Sequence, residues 1–164
     1  MVPPNYNEYI GFQIAGPNSR ELLSRVTKED VSNSRLPFMS LMYAEVGLCD
    51  ALVKRVSYTG DLGYEIYVPA LQQLTLYECL IAAGHDLGLK PFGMRAMMSL
   101  RLEKSFGAWG REFRYGYIPA ETRLDRFIDF NKDINFIGKT AALSVKSTGP
   151  QRLLCTFVVE AKDA

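Results

Sequence analysis

Residues 57–69, "SYTGDLGYEIYVP", decide how the chain is read. Gly60 and Gly63 flank Asp61 and Leu62, a hairpin-loop composition in which glycine supplies positive φ. Beyond Gly63 the residues alternate with period two, so Tyr64, Ile66 and Val68 share one face of a strand. Glu65 and Tyr67 share the other face, about 7 Å apart along a regular strand. Two readings of that second face fit. It is a solvated outer surface, or it is a pocket wall. A carboxylate offers two in-plane acceptors to the adjacent N–H donors of an aminopyrimidine-type ring, and a neighbouring aromatic adds a stacking or edge contact. Alternation alone does not choose between the two.

Upstream, residues 9–14 read as a strand leading into "AGPNSRELLSRV", where Asn18 or Ser19 is a helix cap, Glu21 sits in the first turn, and Leu22, Leu23 and Val26 are the apolar positions. "TKEDVSN" repeats the device, with Thr27 as cap and Asp30 three residues on. Residues 40–58, rich in β-branched and aromatic side chains and broken at Gly47, predict two strands ending at Tyr58. Downstream, helical spacing predicts one amphipathic helix over about residues 71–87, stopped by Gly88 and Pro91, with His85 near its C-terminus. A second helix spans "GMRAMMSLRLEKS", its Met94, Met97, Met98 and Leu102 stripe read as core filler. Residues 107–133 read as irregular loop with strand pieces such as residues 126–130, "FIGKTAALSV" as a turn and short helix, and "QRLLCTFVVEA" as a final strand. Strands and helices are interspersed without a regular βαβ rhythm, which gives the class α+β.

At 164 residues the chain has the size of about one domain, with 19 basic against 18 acidic side chains and 48% hydrophobic residues. Neither disorder nor a nucleic-acid-binding arm follows from that balance. Cys49, Cys79 and Cys155 are too widely spaced for a CxxC redox or zinc motif, so no metal site is expected, and the odd count suits a reducing compartment. No stretch approaches a membrane span or a signal peptide, so the chain reads as soluble and its targeting is otherwise undetermined. The expected compartment is the cytoplasm, or the mitochondrial matrix in a eukaryote.

Three stretches in order, "YTGDLGYEIYVP", "SLRLEKSFGAWGRE" and "NFIGKTAAL", together with "IGFQIAGPNSRELLSRVT", give a resemblance across almost the whole chain. The sequence resembles the folate-binding aminomethyltransferase-like module. That module occurs as the glycine cleavage T-protein and as the C-terminal part of sarcosine and dimethylglycine dehydrogenases. The dehydrogenase branch is nearest, through residues 99–104 and the Trp109-Gly110 pair. The resemblance implies a ferredoxin-like half followed by the start of a C-terminal β-barrel. Residues 1–148 would be a partial folate-binding domain and residues 149–164 the opening of a truncated barrel. It also implies tetrahydrofolate binding in service of one-carbon transfer. Glu65 matches the glutamate that holds the pterin, with Tyr58, Ile66 and Tyr67 beside it and Trp109 near the pterin or benzoyl part.

Arg101 and Glu103 match family positions and are read as structural, an ion pair or helix-surface groups. Lys104 is read as a solvated lysine, with contact to the ligand's glutamate tail as the alternative. Met97 replaces a folate-binding arginine of the T-protein branch, Arg123 replaces a small turn residue, and Asn135 stands where aspartate is common. The family's catalytic aspartate lies in a segment upstream of the Gly-Pro helix start, so no catalytic residue is assigned and the chain is read as part of a longer enzyme. No Gly-x-Gly-x-x-Gly stretch is present, which puts FAD in a separate domain or partner. The implied partners are the small-molecule folate, a methylated amine or glycine-derived carbon, and a flavin domain or a second copy of the chain. The alternative is a non-catalytic regulatory or scaffold relative, or a degenerate paralogue.

Overall fold

Alternating burial organises the first half of the chain. The computed structural model describes residues 8–160, and the chain divides into two compact units, Met1–Phe106 and Gly107–Ala164. The first unit contains strands β1 (Tyr9–Ala15), β2 (Leu41–Val46), β3 (Cys49–Lys54) and β4 (Gly63–Pro69), with helices α1 (Ser19–Val26), α2 (Gln73–Gly84) and α3 (Met94–Glu103). The strands form one sheet in the order β1-β4-β3-β2, antiparallel throughout. This is the α+β architecture expected.

One face of the sheet is dry. Ile14, Val46, Ala51, Val53, Tyr64, Ile66 and Val68 are buried together with Leu22 and Leu23 of α1 and Leu76 and Leu80 of α2. Tyr64 is fully buried and its hydroxyl accepts a 3.1 Å hydrogen bond from Arg20 Nε, which satisfies the one polar atom of a core ring. Helix α1 starts where the sequence predicts. Its entry is tied down by Ser19 Oγ and Gly16 N–H, which both donate to the Leu62 carbonyl at 3.0 and 2.8 Å. Asn18 offers no side-chain cap; its amide donates instead to the Leu87 carbonyl at 3.3 Å. The turn between β2 and β3 uses Gly47 at φ 63°.

Several expectations are corrected. No helix follows Thr27: its hydroxyl accepts from Glu29 N–H, and Asp30 accepts from Ser32 N–H, so both side chains close local turns instead of capping. Strand β3 ends at Lys54, and residues 55–62 form an irregular loop. The methionine stripe of α3 is not core: Met94 is 69% exposed and Met97 and Met98 are only half-buried. Arg101 is the buried residue of that helix, at 2% exposure, and Nη1 donates to the Phe106 carbonyl at 2.9 Å, so it is no surface group. Lys104 is largely solvated and lies 3.7 Å from Asp61.

The second unit is mostly irregular, with one 3₁₀ turn (Asp125–Phe127) and helix α4 (Lys139–Thr148), entered through Gly138 at φ 88°. Residues 126–130 form no strand. Residues 151–160 do not form the final strand either; they run exposed, with no ladder partner, because β-rich sequence without a neighbouring strand leaves its main-chain groups to water. Leu154 N–H does reach the Glu121 carbonyl, at 2.7 Å. Ala161 and residues 162–164 of the expected barrel start lie outside the described residues, and the expected boundary at 148/149 falls at the end of α4. The three cysteines are free and graded in access: Cys49 buried, Cys79 half-buried, Cys155 exposed. Burial pushes the Cys49 and Cys79 thiols up from their ordinary ionisation range.

Leu23 has no exposed surface. Leu23→Ala is expected to destabilise the protein by about 2–5 kcal/mol through lost burial and a residual cavity, read as a lowered midpoint in urea denaturation.

Candidate functional site

The second face of β4 is only partly open to water. Glu65 and Tyr67 are half-buried there, and the Tyr67 hydroxyl donates a 2.8 Å hydrogen bond to Glu65 Oε2. Both neighbouring strands contribute. Gln13 of β1 and Lys54 of β3 are the cross-strand partners of Glu65, while Gly11 and Leu52 are the partners of Tyr67. Lys54 Nζ lies 4.3 Å from the centroid of the Tyr67 ring, a cation–π contact. Gln13 Nε2 donates to Ser57 Oγ at 3.4 Å, and Ser57 Oγ is 2.9 Å from Thr59 Oγ1. The face is therefore a hydrogen-bonded array in which one carboxylate is already oriented.

Two glycines shape it. A Cβ on Gly11 would lie 2.8 Å from Tyr67 Cε1, so the ring occupies the space that any other residue would fill. A Cβ on Gly63 would meet the Ile14 carbonyl oxygen at 2.8 Å and Ser57 Cβ at 2.9 Å, so Gly63 serves close main-chain approach rather than positive φ. Gly60 is the loop position at φ 79°, with the Lys104 side chain packed against it.

Burial first, and the hydrogen bond to Glu65 second, push the Tyr67 phenol up to about 12. The phenol is thus a neutral donor across the working pH range. A carboxylate has about four acceptor sites, and the Tyr67 hydroxyl occupies one of those of Glu65.

Of the residues expected here, Glu65 and Tyr67 are together. Tyr58 is half-buried in the 55–62 loop. Ile66 has its side chain at 0% exposure in the core, on the opposite face, which leaves only its main chain for a ligand. Trp109 belongs to the second unit, where it is 78% exposed and makes an edge-on contact with Tyr115, centroids 6.1 Å apart. Sequence reading did not find Gly11, Gln13 or Lys54. An isolated glycine inside a strand pattern is the signal that could have marked Gly11.

A cavity of about 630 Å³ opens beside the β1 edge of the same unit. Gly11 and Gln13 line it, along with Tyr77 of α2 and Met94 and Met97 of α3, whereas Glu65 and Tyr67 do not. In the second unit a cavity of about 680 Å³ is bordered by Arg111, Arg114, Tyr117, Glu121 and Arg152. There Arg152 Nε bonds Glu121 Oε1 at 2.9 Å, and with the Ile118 N–H this holds the Glu121 carboxyl below the usual range. Among the described residues no three His, Cys, Asp or Glu converge as metal ligands, and no helix is long and apolar enough to cross a membrane.

Residues 4–132 match the family described as GCVT N-terminal domain. The chain belongs to the GCVT N-terminal domain family. Among curated relatives, the mitochondrial dimethylglycine dehydrogenase of Mus musculus is 37% identical over 150 residues, 92% of this chain and 17% of that protein. The aminomethyltransferase of Caldanaerobacter subterraneus subsp. tengcongensis is 39% identical over 144 residues, 88% of this chain and 38% of that protein. The GCVT-type chain thus spans well under half the length of these relatives. A solved structure, the heterotetrameric sarcosine oxidase from Corynebacterium sp. U-96 in complex with pyrrole 2-carboxylate, aligns at 16% identity and TM-score 0.46 over 53% of this chain and 43% of that one.

The raised Tyr67 phenol has a testable consequence in this GCVT domain. Its folded ionisation near 12 lies above the ordinary 10 of an unfolded tyrosine, so the native state holds the proton more tightly. The stabilisation is complete below pH 10 and is lost as pH rises through 12. Spectrophotometric titration of the wild type minus Tyr67→Phe should show one phenol ionising near 12; a difference curve centred at 10 would contradict the geometry.

Proposed function

We propose that this chain is the tetrahydrofolate-binding portion of a one-carbon transfer enzyme of the sarcosine or dimethylglycine dehydrogenase kind, or of an aminomethyltransferase. It captures an amine-derived one-carbon unit as 5,10-methylenetetrahydrofolate. Membership in the GCVT family and the names of the two relatives support the reaction class. The observation that carries the ligand assignment is the Glu65 carboxylate, half-buried and oriented by Tyr67 on the outward face of β4.

The donor set suits the ligand. A reduced pterin presents adjacent ring N–H and exocyclic amine donors, and a carboxylate with free in-plane lone pairs is their natural complement. Glu65 would hold that edge, Tyr67 would supply aromatic contact and fix the carboxylate, and Tyr58 would stand beside them on the loop. The main chain of Ile66 completes the proposed set. Bound tetrahydrofolate supplies the nitrogen that accepts the one-carbon unit. The residues of this chain bind and orient; oxidation of the amine belongs to a flavin, FAD, held by a separate domain or partner. The compartment is the cytoplasm, or the mitochondrial matrix in a eukaryote.

Calorimetric titration with tetrahydrofolate tests the reading. Glu65→Ala is expected to weaken binding roughly 10- to 100-fold, since hydrogen bonds to a charged group contribute about 1.5–3 kcal/mol. Equal affinity for wild type and Glu65→Ala would favour a scaffold relative that takes no folate at this face.

A further inference from the structure

We propose that Tyr67 is the positioning residue for Glu65, its hydroxyl fixing one carboxylate oxygen so that the other faces the ligand, and that Gly11 and Lys54 hold the Tyr67 ring in turn. The proposal rests on the tetrahydrofolate reading above and assigns roles within the same face.

A glutamate on a strand has three side-chain torsions, and ordering them on binding opposes affinity. Here the ordering is already done before the ligand arrives, because the hydroxyl of Tyr67, two residues along the same face, closes a 2.8 Å bond to Oε2. A carboxylate has about four acceptor sites, so one donated bond leaves Oε1 and half of Oε2 for the ligand. Such a clamp works only if the phenol itself is immobile. Two features make it so. The ring lies where a Cβ at position 11 would be, 2.8 Å from Cε1 and 3.0 Å from Cδ1, so only glycine at that point of β1 admits it. Lys54, paired with Glu65 across β3 and β4, sends its ammonium 4.3 Å from the ring centroid instead. Three strands therefore converge on one side chain: β1 gives it room, β3 gives it a cation, and β4 carries it.

The roles separate in a double-mutant cycle on the full chain, read by calorimetric affinity for tetrahydrofolate with circular-dichroism melting as the check on folding. Tyr67→Phe keeps the ring and should weaken binding about tenfold, the worth of one net hydrogen bond. The Glu65→Ala and Tyr67→Phe double variant should bind like Glu65→Ala alone, because without the carboxylate the hydroxyl has nothing to position. Gly11→Ala, which must displace the ring, should weaken binding about as much as Tyr67→Phe while leaving the hydroxyl in the chain. Wild-type affinity in Tyr67→Phe, or losses that add in the double variant, would overturn the positioning role while the folate reading stands. No tetrahydrofolate binding by the unmutated chain would remove both.

Discussion

Strand β4 is hydrogen-bonded on both edges, to β1 along its whole length and to β3 through Glu65, Ile66 and Tyr67. That double pairing is the constraint on which the site depends. Side chains on a strand alternate strictly, so a slip of one residue would drive Glu65 and Tyr67 into the core and expose Tyr64, Ile66 and Val68. Three fully buried side chains on one face thereby hold two polar side chains on the other. The carboxylate is displayed because the register that would hide it would expose three core side chains.

Much of this was legible in the sequence because it is local. Period-two alternation from Tyr64 to Val68 correctly sorted the two faces, and the helix starts at Ser19 and Lys139 follow from residues adjacent to them. What was not legible depends on partners distant in the chain. Gly11 has a role only because Tyr67, 56 positions later, is its cross-strand partner, and Lys54 joins the site only through the β3–β4 ladder. Thr27 and Asp30 show the opposite failure. Their hydrogen-bonding chemistry was identified correctly, yet the same bonds serve a turn as well as a helix start, and no apolar stripe follows to pull the segment into a helix.

The methionines of α3 and the segment at residues 151–160 share another lesson. Apolar pattern states that a surface can be buried, not that a neighbour exists to bury it. Met94 and Met97 line a cavity instead of filling a core, and residues 151–160 carry strand composition without a strand beside them. In the second unit order comes from polar contacts: buried Glu121 accepts from Ile118 N–H and from Arg152, while the guanidiniums of Arg114 and Arg152 lie 5.0 and 4.6 Å from the Tyr117 ring.

The graded access of the three cysteines turns an otherwise unremarked composition into an experimental handle. Thiolate fraction and solvent contact together govern alkylation, and the buried Cys49 and half-buried Cys79 are disfavoured on both counts. A maleimide fluorophore or spin label added to the unmodified chain would therefore settle first on Cys155, within the 151–160 segment, and report on the ordering of that segment without engineering a single residue.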